Sequence, residues 1–182
     1  MDSSAVARSA TSMPEALAAP RANEALAAKL QLYGRFVGSW TVDIDHLGLG
    51  GPRRRAEGEW HFGWALDGKA IQDVWIFPAR HLRGAAPEPW YRFGTTLRWY
   101  DPAIDAWHIL YLEPGHCFEL HQLGRAQGEE IVQLGEHASG LLRRWRFVEI
   151  TKDSFRWLGE ASWDKGGRWA LELEMRARRI AA

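Results

Sequence analysis

The chain has 182 residues, with 23 lysines and arginines balanced by 23 aspartates and glutamates. That length suffices for one domain with its own apolar core, and a formal net charge of zero argues against nucleic acid or an anionic membrane as an electrostatic partner. The lone cysteine, Cys117, excludes an internal disulfide and fits a reducing, cytoplasmic setting.

Met1 to about Arg21 is rich in Ala, Ser and Pro without periodicity, and is expected to be a disordered tail before a single domain over 22–182. Its alanines are too interrupted for a signal-peptide core, and no apolar run approaches the roughly 18 residues of a membrane-spanning helix. Asn23 is placed to cap a short helix from Glu24 to about Tyr33, with Leu26, Leu30 and Tyr33 on one stripe and Gly34 at its end. One such helix ahead of an all-β chain is expected to pack on the sheet or plug one end of a barrel.

From Ser39 the pattern changes to period two. Trp40, Val42, Ile44 and His46 share a face, and Gly48 to Pro52 reads as a loop. Arg54 to Ala65 sets Trp60, Phe62 and Trp64 against Glu57, Glu59 and His61. A hairpin turn at Leu66-Asp67-Gly68-Lys69 leads into Ala70 to Phe77, which puts Ile71, Asp73, Trp75 and Phe77 together. Pro78 to Pro89 reads as a longer mobile loop. Tyr91 to Tyr100 is the next strand, and in Trp107 to Leu112 the residues Trp107, Ile109 and Tyr111 alternate with His108, Leu110 and Leu112. Cys117 to Leu123 and Glu130 to Leu134 are shorter strands. Three more lie between Arg143 and Arg179, carrying Trp145 and Phe147, then Phe155 and Trp157, then Trp169, Leu171, Leu173 and Met175, with a tight turn at Asp164-Lys165-Gly166-Gly167. About ten antiparallel strands joined by hairpins leave two open edges unless the sheet closes. The expected fold is therefore all-β, an up-and-down barrel of about ten strands with one short N-terminal helix, ahead of a two-sheet sandwich.

Phe36-Val37-Gly38-Ser39-Trp40, following a short helix, resembles the Gly-x-Trp opening of lipocalin-like (calycin) barrels. Gly58-Glu59-Trp60-His61-Phe62, Leu66-Asp67-Gly68, Gln72-Asp73-Val74-Trp75 and Tyr100-Asp101-Pro102 are similar to an uncharacterised bacterial branch of that superfamily. So is Asp153-Ser154-Phe155-Arg156-Trp157 leading into Asp164-Lys165-Gly166-Gly167-Arg168-Trp169. The resemblance runs from about Leu32 to Arg179 and implies the barrel; the fold hosts many roles. Nitrobindin-like members bind haem through a histidine close to the C-terminus. This chain has no histidine after His137, and no cofactor is expected.

No nucleophile elbow, phosphate loop, dinucleotide fingerprint or zinc pattern is present. Cys117, Glu119 and His121 share a strand face, with His116 opposite, and read as a polar outer face rather than a metal site. Asp73 sits between Ile71 and Trp75; if Trp75 points inward, so does the carboxylate, which must then be paired, hydrogen-bonded or protonated. Such a group can serve as a general acid or base, with Arg98 or Tyr111 stabilising charge on oxygen, or it can be structural glue. Arginine is more often exterior, so Arg98 and Arg146 are expected outside. Tyr111 is suited to hydrogen-bonding a ligand carbonyl. Eleven tryptophans exceed what closing a core requires, so Trp40, Trp75, Trp107 and Trp157 are candidate ligand contacts. His61 and Glu160 join them if their strand faces turn inward. The first reading is a protein that binds a small, largely apolar or aromatic molecule. The alternative is a cofactor-independent isomerase, cyclase or lyase using Asp73, and a third is a dimer sealed by tryptophans; a homodimer is expected from the tryptophan surplus alone.

Overall fold

The computed structural model describes residues 12–47, 53–84 and 91–181. The segment 1–11 of the expected tail, the loop at 48–52 and the part of the 78–89 loop from 85 onward lie outside the described residues. Within them, the period-two stretches become ten long strands: β2 (Gly38–His46), β3 (Arg54–Ala65), β4 (Ala70–Phe77), β5 (Arg92–Asp101), β6 (Ala106–Glu113), β7 (Phe118–Gln127), β8 (Glu130–Glu136), β9 (Leu142–Val148), β10 (Ser154–Ser162) and β11 (Ala170–Arg179), numbered after a two-residue β1 (Ala18–Ala19). Each pairs antiparallel with its chain neighbours, and β11 returns to β2 with Met175 opposite Ile44, so the sheet closes into a ten-stranded barrel.

The interior stripes are the aromatic ones. Trp40, Val42 and Ile44 from β2, Trp60 and Phe62 from β3, Ile71 from β4, Trp107 and Ile109 from β6, Phe147 from β9 and Phe155 and Trp157 from β10 form one buried cluster. Between Ala27 and Gly34 the chain forms α2, preceded by a 3-10 turn at Glu24–Leu26 that Asn23 caps through Ala25 N–H. Leu30 and Tyr33 of α2, with Phe36 after it, enter the end of the barrel where β2 begins, and all three are buried. Phe36 stacks on Phe147 at 4.7 Å between ring centroids and meets Phe155 at 4.8 Å. Gln133 donates to the Tyr33 hydroxyl at 3.0 Å, and Trp40 Nε1 donates to the Phe36 carbonyl at 2.8 Å, so the Tyr33 hydroxyl and the Trp40 N–H have partners in this plug. Burial pushes the Tyr33 phenol up to about 12.

Two local features add to the pattern read in the sequence. Within the stretch expected to be a tail, Ser12 caps a short helix α1 (Met13–Leu17), and β1 pairs with Trp64 and Ala65 at the end of β3. In addition, β11 carries a bulge, because Gly159 of β10 faces Leu173 whereas Glu160 faces Leu171. Glu172 is thus the extra residue, and the strict alternation expected for this strand breaks there.

Candidate functional site: a cavity at the open end

The end of the barrel opposite α2 is not filled. A cavity of about 310 Å³ extends inward from it. Its rim comes from strand ends that all lie on this side: His46 ends β2, Arg54 begins β3, Phe77 ends β4, Arg92 begins β5, Glu113 ends β6, and Arg143 and Glu172 lie near the starts of β9 and β11. The walls are Trp60, Trp75, Trp145 and Trp157, with Ile44, Phe118, Leu173 and Met175. Two glycines make room for these rings. A Cβ on Gly94 would lie 2.5 Å from the Tyr111 hydroxyl and 2.7 Å from Trp75 Nε1, and one on Gly159 would lie 2.8 Å from the Trp157 ring. Four tryptophans therefore wall a cavity and two, Trp40 and Trp107, pack under the plug. On the outside, Trp99 stacks on His108 and Trp169 lies against Arg144. That placement accounts for much of the tryptophan surplus.

At the floor, Asp73 and Arg98 are both inside the barrel, each 1 % exposed, and form an ion pair. The inward direction of Asp73 follows from its place on the Trp75 stripe. Arg98 corrects the expectation of an exterior arginine: Arg98 faces Ile71 across the β4–β5 ladder, one step diagonally from Asp73, which faces Thr96. Its guanidinium lies 5.3 Å from the Tyr33 ring centroid and 5.7 Å from that of Phe62, so it joins the aromatic plug to the cavity. Arg98 and Thr96 line the cavity. Asp73 Oδ1 and Arg98 Nε are buried without a protein hydrogen-bond partner among the described residues.

Higher up, Trp75 Nε1 donates to the Tyr111 hydroxyl at 2.9 Å, and that hydroxyl donates to Glu113 Oε2 at 3.3 Å. The other carboxylate oxygen, Glu113 Oε1, lies 2.5 Å from His116 Nδ1 and 3.5 Å from Arg92 Nε. Burial lifts the Tyr111 phenol well above its ordinary range, and the Glu113 charge adds to the lift. Arg143 pairs with Glu172, which the β11 bulge brings to the cavity. Burial lowers both the Arg143 guanidinium and the His46 imidazole, and Arg92 and Arg54 push the latter further down.

Of the residues singled out in the sequence, Arg98, Tyr111, Trp75 and Trp157 meet at this cavity, with Asp73 beneath it. Trp40 and Trp107 lie in the plug instead. His61 faces outward, bonded to Ser39 at 2.9 Å and Glu59 at 3.1 Å. Glu160 is buried on the outer face under Arg144 and Arg146; burial pulls its carboxyl up, but the two guanidiniums outweigh it and hold it below the usual range. Among the described residues no group of three or more His, Cys, Asp or Glu side chains is arranged to hold a metal ion, and His121 pairs with His108 on the outside. Sequence reasoning alone does not find Glu113, Arg92, Arg143 or Glu172, and it meets His116 only as a metal-ligand candidate. The spacing of Tyr111 and Glu113, two apart on one strand, is the available signal that they share a face.

No protein-family model matches the sequence, and no curated protein matches it. Solved structures match the fold. Rv2717c from M. tuberculosis superposes with a TM-score of 0.58 at 13% identity, over 88% of this chain and 99% of that one. The S-type phycobiliprotein lyase CPES from Guillardia theta gives 0.56 at 11% identity, over 84% and 92%. At such identities the likeness is one of fold alone, a closed antiparallel β-barrel.

Proposed function

We propose that this barrel binds a small, largely aromatic molecule between its tryptophans, and that its place is with the bacterial lipocalin-like barrels its sequence motifs resemble. The observation that carries the reading is a cavity of about 310 Å³, walled by Trp60, Trp75, Trp145 and Trp157, in a barrel whose other end is sealed. Ligand cavities in proteins are concave, mostly apolar and supplied with a few convergent polar groups, and the Tyr111, Arg98 and Thr96 side chains are such groups here. An enzyme built on Asp73 has less support. Its carboxylate is held by Arg98 at the floor and is not part of the cavity wall. Native mass spectrometry of the protein purified from its own host tests the binding reading: a co-purifying aromatic compound, one per chain and lost on Trp157→Ala, is the expected result. A protein that emerges empty and fails to bind any of a panel of two-ring aromatics removes it.

A further inference from the structure

The hydrogen-bond order at Tyr111 specifies which end of a ligand it can accept. Trp75 Nε1 has one hydrogen and can only donate, so the phenol oxygen accepts that bond at 2.9 Å. The phenol has one hydrogen and gives it to Glu113 Oε2. What remains on the oxygen is a second lone pair, on a residue that lines the cavity. Glu113 cannot turn away, because its other oxygen is held by His116 at 2.5 Å and Arg92 at 3.5 Å, and its side chain is 7 % exposed. A ligand carbonyl at Tyr111 would have to strip the hydroxyl proton from Glu113 and leave a buried carboxylate oxygen unpaired, which is costly. A ligand hydroxyl completes the chain instead.

Resting on the binding reading above, we propose that Tyr111 and Glu113 form a receptor for an acidic hydroxyl, so that the cavity takes planar aromatic phenols or enols and withdraws their proton. The ligand O–H bond breaks, and a new O–H bond forms on Tyr111 Oη as the phenol's own proton passes to Glu113 Oε2. The electron pair stays on the ligand oxygen, and the proton stays on Glu113 Oε2, which now donates back to Tyr111 Oη so that no buried oxygen is left unpaired. Tyr111 touches the ligand; Glu113 acts through it. The resulting anion lies among Arg92, Arg98 and Arg143, with His46, Arg54 and Glu172 on the same rim and Asp73 below. Gly94 is part of the receptor, since any side chain there would collide with both Tyr111 and Trp75.

The test uses the full chain with 4-nitrophenol and its methyl ether, 4-nitroanisole. Equilibrium dialysis measures affinity, and the phenolate absorption band reports the protonation state of bound nitrophenol. The phenol is expected to bind about tenfold tighter than the ether, and to be bound as phenolate at a pH where the free compound is mostly neutral. Tyr111→Phe should erase the preference, bringing the affinity for the phenol down to that for the ether in the same variant. Glu113→Gln should retain the phenol but in its neutral form. Equal affinity of the wild-type protein for the two probes, or a bound phenol that stays neutral, overturns the hydroxyl receptor while leaving the cavity reading in place. If neither probe binds, the cavity reading falls and takes the receptor with it. Both decisive comparisons are made on the unmutated protein, so they stand even where a variant fails to fold.

Discussion

The two ends of the barrel are built from the same alternating strands and do opposite things. At one end Tyr33 of α2 and Phe36 just after it insert among Trp40, Phe62, Phe147 and Phe155, and the rings meet at centroid distances from 4.7 to 6.5 Å. At the other, the same aromatic stripes continue upward, but Gly94 and Gly159 thin the wall, and ion pairs ring an open space. Alternation alone therefore tells which side chains point inward, and a capping element decides whether they make a core or the wall of an open cavity. The largest expected effect follows from this. Phe36→Ala removes a ring buried among four others and should cost about 3–5 kcal/mol of stability in urea unfolding. A loss below about 1 kcal/mol would mean the plug is not the stabilising end.

Between the two ends lies the Asp73–Arg98 pair, and its removal tests where the boundary runs. Asp73→Ala leaves a guanidinium buried over three aromatic rings and should cost about 3–4 kcal/mol, whereas Asp73→Leu with Arg98→Met together should cost less than either change alone. Additive losses in that double-mutant cycle would show that the two side chains do not depend on each other.

The same boundary marks how far the sequence can be read. Every interior aromatic of β2, β3, β4, β6, β9 and β10 is legible, because strand side chains alternate and a run such as Trp60, Phe62 admits one buried face. The plug helix is legible from Asn23, Leu30 and Tyr33. Asp73 is legible by its stripe, but Arg98 is not: its inward turn depends on standing diagonal to Asp73, and register between strands is not written in either strand alone. Glu172 is hidden for a sharper reason, since a single extra residue opposite Gly159 and Glu160 reverses the parity of everything before it. Glu113 and His116 sit where β6 runs into a 3-10 turn, and there periodicity stops carrying information. The site is thus least legible at the rim, where its charged groups are.

At the open end, removing a wall should cost function before stability. Trp145 is half-buried between Tyr111 and Trp157, with ring centroids at 5.3 and 5.4 Å. Trp145→Ala is expected to lower stability by about 1–2 kcal/mol, well below the Phe36→Ala loss, because one side of the ring already faces the cavity. Aromatic ligand affinity in the same variant should fall at least about tenfold, a ring contact's worth. A stability loss equal to that of Phe36→Ala would erase the distinction between the two ends.

The smallest effect concerns how the rim is tied down. Glu59 on the outer wall accepts from the Arg80 backbone N–H at 2.6 Å and from its guanidinium at 2.7 and 3.0 Å, fastening the Arg80–Leu82 turn that follows β4. These bonds, the Arg80 side chain foremost, hold the Glu59 carboxyl down at about 2 against an ordinary 4.5. A carboxyl that is more acidic when folded stabilises the fold above its unfolded value, and the contribution disappears as pH falls from about 4.5 through about 2. Acidification through that window should therefore raise amide exchange in the Arg80–Leu82 turn before it touches α2, and Glu59→Gln should remove that part of the pH dependence while leaving the plug unchanged. The two ends are separately stabilised only if this order holds; simultaneous loosening of the turn and of α2 would make the barrel a single cooperative unit, with the difference between its ends one of shape rather than of stability.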